Sequence, residues 1–349
     1  MIDLGFLFPF RNPAFARRPW AEVYRDDLAL AVHTEALGFD HVWLTEHHFV
    51  DDGYSPALLP IAGALAQATS RIRIGTFVLL LPLHDTVRVA EDVATVDLIA
   101  NGRFDLGLGL GYRVDEFAGM GRSPRERGAR FAEQLPLLRR LLDGETVDFD
   151  GRFHQLQGTR IVPPPVQQPL PLWVGARGDK ALDRAARLGC HLAGVSAEHR
   201  LRYRDALARH DRVPDEYHVS QMVLVYVAET RAQAWNEAAR PVHHMLTLYR
   251  DWAAAAGDDN NDDQATRAIP TPEAMIAAQD GDFFGEPAFI GTPDEVFAGL
   301  ADLLTRSPCT HLVLMGILPG APPDGTRRSV ELFAREVMPR LREATRGTG

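Results

Sequence analysis

The chain has 349 residues, 46% of them hydrophobic, which is enough apolar material for one large core or two ordinary ones. Its formal net charge of −10 is spread along the chain, with arginine carrying nearly all the positive charge and no basic cluster standing apart from acidic neighbours, so a nucleic-acid surface is excluded. The N-terminal MIDLGFLFPFRNPAF lacks a basic region and a cleavage site, and no later apolar run approaches the ~20 residues a membrane helix needs. With Cys190 and Cys309 too few and too far apart for a disulfide framework or a zinc site, a soluble protein of the reducing cytoplasm is expected.

Short β-rich runs then alternate with amphipathic stretches from end to end, as a parallel sheet built from βα units reads. The first strand is expected over Ile2–Phe8, followed by a helix from Trp20 to Leu37 that stops at Gly38. A second strand, Phe39–Leu44, precedes a helix that buries Leu58, Ile61 and Leu65. Ile72–Leu81 reads as the third strand, and its helix carries Val87, Ala90, Ala94 and Leu98 on one stripe. Arg103–Leu110 is the fourth, with a helix after it that has Phe131, Leu135, Leu138 and Leu142 in phase. Residues 144–171 break the rhythm and suggest a small hairpin and a proline-rich connector.

The alternation resumes with strand 172–175, a helix to Leu188, strand 191–195, a helix to His210 and strand 219–227. A long helical region to about Ala256 leads into GDDNNDDQ, whose charge and lack of apolar residues predict a mobile loop. Thr292-Pro293-Asp294-Glu295 starts a helix with proline in its first position, Thr310–Met315 is the last strand, and Val330, Phe333, Val337 and Leu341 line a closing helix. About eight βα units predict a single (β/α)₈ TIM barrel over 1–349, with insertions near 144–170 and 251–290. The competing doubly wound sheet usually shows a glycine-rich nucleotide loop after the first strand, and Phe8-Pro9-Phe10-Arg11 is not one.

In such a barrel the C-terminal ends of the strands form the active-site face, and three stretches fall there. Glu46, His47 and His48 end the second strand. They are either loop residues satisfied by neighbouring carboxylates or groups aimed at a ligand, and a metal site is disfavoured because adjacent residues seldom direct both side chains at one ion. In Gly102-Arg-Phe-Asp-Leu-Gly-Leu-Gly-Leu-Gly-Tyr112 the glycine spacing fails the dinucleotide fingerprint; the alternating glycines admit a flat ligand or another part of the chain at close range. Gly175-Ala-Arg-Gly-Asp-Lys180 turns from the fifth strand into its helix. There backbone N–H groups and Arg177 could hold a phosphate, or Asp179 could simply cap the helix while Arg177 faces water.

Taken in order, WLTEHHF, RIRIGTFVLLLPLHDTVRVAEDVATVDLIANGRFDLGLGLGY, PLPLWVGARGDKALDRAARLG and FIGTPDEV resemble the bacterial luciferase-like flavin-dependent monooxygenases over nearly the whole chain. The resemblance implies a barrel, a homodimer formed through helices near the second and third strands, and a reduced FMN, or in one branch a deazaflavin coenzyme, at the mouth. It implies that His47 is the acid/base group, with Glu46 and His48 shaping the same wall. Phe77 and Val78 match a non-prolyl cis peptide beneath the flavin. Gly109, Leu110 and Tyr112 correspond to the isoalloxazine and ribityl side, and Gly175, Ala176, Arg177 and Gly178 to the phosphate. Two departures stand out: Leu110 replaces an arginine that reaches the phosphate in luciferase, leaving Arg177 or Arg113 for that contact, and Gly189-Cys-His-Leu replaces Gly-Asp-Gly-Trp.

The expected activity is therefore monooxygenation. Reduced FMN comes from a separate NAD(P)H flavin reductase, O₂ adds at the flavin C4a position, and a small organic substrate is oxidised under a lid formed by 257–264 and the following PTPEAMIAAQDGDFFGEPAF. A deazaflavin-dependent hydride-transfer enzyme is the nearest alternative, and a non-catalytic flavin-binding protein is the alternative from another class.

Overall fold

Each apolar run opens a strand, and the amphipathic stretch after it folds back along the outside. The computed structural model describes residues 1–176, 178–194, 197–256, 265–283 and 286–346. Eight parallel strands form its wall: β1 (Asp3–Phe8), β2 (His41–Leu44), β3 (Arg73–Thr76), β4 (Phe104–Gly109), β5 (Leu172–Val174), β6 (His191–Gly194), β7 (Val219–Val227) and β8 (His311–Met315). Each pairs with its successor, and β8 pairs with β1 in the register Asp3↔His311, so the sheet closes into a (β/α)₈ barrel.

The outer helices are α1 (Trp20–Ala36), α2 (Leu58–Ala68), α3 (Thr86–Ala100), α4 (Arg127–Leu142), α5 (Asp179–Arg187), α6 (Ala197–Arg209), α7 (Arg231–Ala256) and α8 (Pro293–Arg306). A last helix, Pro323–Leu332, continues through a π-helical stretch at Phe333–Val337 into Met338–Ala344. Thr292 and Glu295 form a capping box at the start of α8: the Thr292 N–H donates to Glu295 at 2.9 Å. Among the described residues, no helix is long and apolar enough to cross a membrane.

One buried cluster lies between sheet and helices, and a smaller one around Trp43, Trp173, Leu224 and Met315 fills the barrel and continues under α7. Gly75 makes the filling possible, because a Cβ there would lie 2.3 Å from the Trp43 ring.

Three expectations change. The α3 stripe is displaced: Ala90 and Ala94 are buried, but Val93 and Asp97 turn inward and Leu98 is 38% exposed. The third strand breaks after Thr76 at a cis Phe77–Val78 peptide, and Leu79–Leu80 then resumes pairing with Leu108–Gly109. Of the presumed lid, 257–264 lies outside the described residues. The segment after it contains the short helix Pro272–Ala278 and ends in Phe289–Gly291, a buried strand paired to the far end of β7. The 144–170 insertion holds the expected hairpin, Val147–Asp150 against Gln155–Thr159.

Candidate functional site

The β2 strand delivers Thr45, Glu46, His47 and His48 into the mouth, all buried. Its loop is held by the His47 N–H, which donates to the Tyr54 carbonyl at 3.1 Å, and by the Ser55 hydroxyl, which donates to the Pro9 carbonyl at 2.7 Å. Phe10, Tyr54 and Ser55 adopt φ values of +51°, +27° and +35° beside this loop. Side chains rarely tolerate that region, and its clustering at one end of a barrel marks a functional place.

His47 and His48 face different carboxylates. His47 Nδ1 lies 2.8 Å from Glu116 Oε1, on the short helix Val114–Gly119 that follows β4. The same oxygen accepts the His48 N–H at 2.9 Å and an Arg113 guanidinium N–H at 3.2 Å. A carboxylate can only accept, so Nδ1 carries the proton, leaving Nε2 as the nitrogen that can act on a ligand. His48 Nε2 and His84 Nε2 each sit 2.7 Å from Glu46 Oε1, and Glu46 Oε2 accepts the Leu80 N–H at 2.6 Å.

Burial alone would raise the Glu46 carboxyl, but the hydrogen bonds from His48 and His84 outweigh it and hold the group down at about 2. For His84, burial pulls the imidazole down, and the bond to Glu46 more than compensates, raising it. Glu46, His48 and His84 could together hold a metal ion, yet Glu46 already accepts donors on both oxygens, which suits a hydrogen-bonded bracket. Each ring of the His pair is thus satisfied by a carboxylate, as one of the two sequence readings has it.

The enclosure of His47 comes mostly from residues that sequence reasoning missed. The ring of Tyr54 meets it edge-on at 4.6 Å, Trp252 lies at 4.9 Å, and Tyr112 and Tyr249 lie at 6.1 and 6.2 Å. Tyr249 and Trp252 come from the C-terminal half of α7, about two hundred residues away in sequence, and only their α-helical spacing of three hinted that they share a face. The Arg113 guanidinium stacks 4.3 Å from the Trp252 ring and also binds the His48 carbonyl at 2.9 Å and Asp115. Arg113 thus makes its contacts in the wall around His47 and His48. Behind this wall Arg11 pairs with Asp52 at 2.6 Å, and His244 of α7 reaches the same carboxylate at 2.8 Å.

The remaining sequence candidates divide. Phe77, Val78, Leu110 and Tyr112 are half-buried at the mouth. Gly109 is buried, and a Cβ on it would lie 2.3 Å from Val78 Cγ2, while one on Gly107 would lie 1.9 Å from the Thr76 carbonyl oxygen. Those glycines admit the neighbouring strand end, and the room they leave is taken. By contrast, among the described residues a Cβ on Gly175 would meet only the Leu108 oxygen at 3.8 Å, and one on Gly178 would meet nothing within 4 Å. Ala176 is buried beneath that turn, and Arg177 lies outside the described residues.

Residues 2–311 match the family model described as luciferase-like monooxygenase. The chain belongs to that family. It is an enzyme of an oxidoreductase family that includes both flavin-dependent monooxygenases and F420-dependent dehydrogenases. An F420-dependent glucose-6-phosphate dehydrogenase of Amycolatopsis mediterranei is 28% identical over 341 residues, covering 91% of this chain and 95% of the relative. The oxygenase component of a flavin-dependent trigonelline monooxygenase of Acinetobacter baylyi is 26% identical over 272 residues, 73% and 75% of the two chains. Monooxygenase RslO1 from Streptomyces bottropensis superposes with a TM-score of 0.80 at 27% identity, covering 97% of this chain and 99% of its own.

At the other end of the barrel, where the strands begin, lies a second polar cluster. His41, Asp105, His191, His218 and His311 gather around Trp173 and Trp43. Burial, reinforced by neighbouring His218, holds His191 down at about 3. The departure at Gly189-Cys-His-Leu therefore falls at this end and does not touch the mouth.

Proposed function

We propose that the chain is a flavin-dependent monooxygenase that receives reduced FMN from a separate NAD(P)H reductase and uses O₂ to oxidise a small organic substrate. The observation that carries the reading is the setting of His47: one carboxylate sets its tautomer, and four aromatic rings stand around the imidazole. Reduced FMN, when bound, supplies the electrons that activate O₂.

This chain's residues do the rest. The cis Phe77–Val78 segment, Leu110 and Tyr112 would hold the flavin, with Gly109 shaping the strand end beside Val78. Gly175, Ala176, Arg177 and Gly178 would hold the phosphate at the α5 N-terminus. His47 Nε2 gives or takes the proton at the reacting substrate atom, Glu116 keeps that nitrogen available, and Glu46 and His48 hold the wall. Likeness to an oxygenase component, together with a chain that has one barrel and no nicotinamide fingerprint, supports the separate reductase. By the same resemblance the active form is a homodimer.

A second reading, hydride transfer with a deazaflavin, is favoured by the likeness to the F420-dependent dehydrogenase over nine-tenths of the chain. Anaerobic titration with reduced FMN and with reduced deazaflavin, followed by admission of O₂, separates the two. Tight binding of reduced FMN and an O₂-dependent absorbance transient that is altered in His47→Ala are expected. Binding of the deazaflavin alone, with no response to O₂, sinks the monooxygenase reading.

A further inference from the structure

The polar cluster at the base of the barrel has no part in the chemistry at the mouth. We infer that Asp3, His41 and His311 form a binding site for a late first-row divalent cation, with Zn²⁺ the best match. The inference stands independently of the flavin chemistry. One carboxylate oxygen and one nitrogen from each imidazole all lie within 4.8 Å of one another, and the three residues come from β1, β2 and β8. His311 Nε2 faces Asp3 Oδ2 at 3.2 Å, while its Nδ1 sits 2.8 Å from the Thr310 hydroxyl, which fixes the ring. Outer partners of this kind orient a metal-binding imidazole.

His41 provides the second, independent observation. It is 2% exposed, its Nε2 is 3.4 Å from Asp105, and its Nδ1 is a buried polar atom with no hydrogen-bond partner. Buried polar atoms are almost always satisfied, and an orphan among potential ligands marks a missing group. Asp105 is itself neutralised by Arg73 at 2.7 Å, so Asp3 is the carboxylate with charge to offer. Asp3 keeps a side chain 44% exposed and, with His41, Asp40 and Arg73, lines a cavity of about 370 Å³ that gives an ion its entry and its water ligands their room.

Two imidazoles and one carboxylate select zinc or its neighbours over magnesium and calcium, which prefer all-oxygen sites. The ion would tie the first strand to the last at the seam where the barrel closes.

The test uses the full chain stripped with EDTA, titrated calorimetrically with ZnCl₂ and spectroscopically with CoCl₂, and melted with and without Zn²⁺. One ion per chain and a higher Tm with Zn²⁺ are expected. Asp3→Asn, a near-isosteric change at a half-exposed side chain, should weaken binding at least tenfold, and His311→Ala should abolish it. His84→Ala, which disables the other cluster with ligand-like spacing, should leave it unchanged. Absence of Zn²⁺ binding, binding that survives both Asp3→Asn and His311→Ala, or binding lost only in His84→Ala overturns the assignment.

Discussion

Replacing Glu116 by glutamine asks how much the loop around His47 rests on a buried negative charge. The carboxylate is fully buried, and its Oε1 accepts three donors, from His47 at 2.8 Å, His48 N–H at 2.9 Å and Arg113 at 3.2 Å. Glutamine keeps the shape, and an amide oxygen in the same place keeps the three contacts without the charge. A hydrogen bond to a charged group contributes roughly 1 kcal/mol more than a neutral one; Arg113 brings its own charge, so the bonds from His47 and His48 together amount to about 2 kcal/mol. Arg113 retains Asp115 and the Trp252 face, so the loss should not grow to that of a stranded buried cation.

Urea unfolding at neutral pH should therefore show a loss of about 2 kcal/mol. The ¹⁵N spectrum of the His47 ring should keep its Nδ1–H form, because an amide oxygen also only accepts, and turnover should fall about 10–100-fold, the range that outer partners of a working imidazole command, with reduced-FMN affinity little changed. A stability change under about 1 kcal/mol, or a ring spectrum that loses the Nδ1–H form, would refute the reasoning, because two bonds to a buried charge cannot lose that charge without cost.

Other expectations follow from the same geometry. Because the Glu46 carboxyl lies at about 2 in the folded chain against an ordinary 4.5, its contribution is present above pH 4.5 and is lost as pH falls toward 2; the full shift corresponds to about 3 kcal/mol, and Glu46→Gln should flatten that acid limb of the urea-unfolding profile. His84, raised by the same contact, contributes in the opposite sense: its share is present below its ordinary 6.5 and fades as pH rises through its folded value, a loss that denaturation in His84→Ala should not show. Trp252→Ala removes the ring over both His47 and Arg113, so stability should fall by about 2 kcal/mol and stopped-flow association of reduced FMN should accelerate; unchanged association would mean the tryptophan is no barrier. Gly107→Ala places a Cβ 1.9 Å from the Thr76 carbonyl oxygen, and thermal unfolding should report a loss of about 3 kcal/mol or more.

Much of the barrel was legible because buried parallel strands and their helices leave strong local patterns. The β7 strand spans Val219–Val227 as its apolar run does, and Phe131, Leu135, Leu138 and Leu142 are buried together on α4. The family resemblance implies the cis peptide at Phe77–Val78, which is present, but the apolar run Ile72–Leu81 concealed the break it makes in the strand; the strand at Phe289–Gly291 escaped, since it depends on three residues paired to a distant partner. The site was half legible. Glu46, His47 and His48 stand next to one another in the chain, but Glu116, Tyr249 and Trp252 acquire meaning only when a short helix and the end of α7 are carried over the same loop, and no spacing rule records that. In sequence Arg113 is only one option for a contact that Leu110 cannot make, and its bonds to Glu116 and Asp115 and its stacking on Trp252 were not legible there.

The bracket at Glu46 also divides the mouth into two independently variable parts. Through it β2, the Phe77–Leu80 segment and the loop leading into α3 share one carboxylate, so a change to any of them is felt by the others. Tyr249 and Trp252 reach the same space from a single helix that adds nothing to that carboxylate. Exchanges along the last turns of α7 would thus bear on His47 and Arg113 through Tyr249 and Trp252 while leaving the Glu46 carboxylate and its three donors in place.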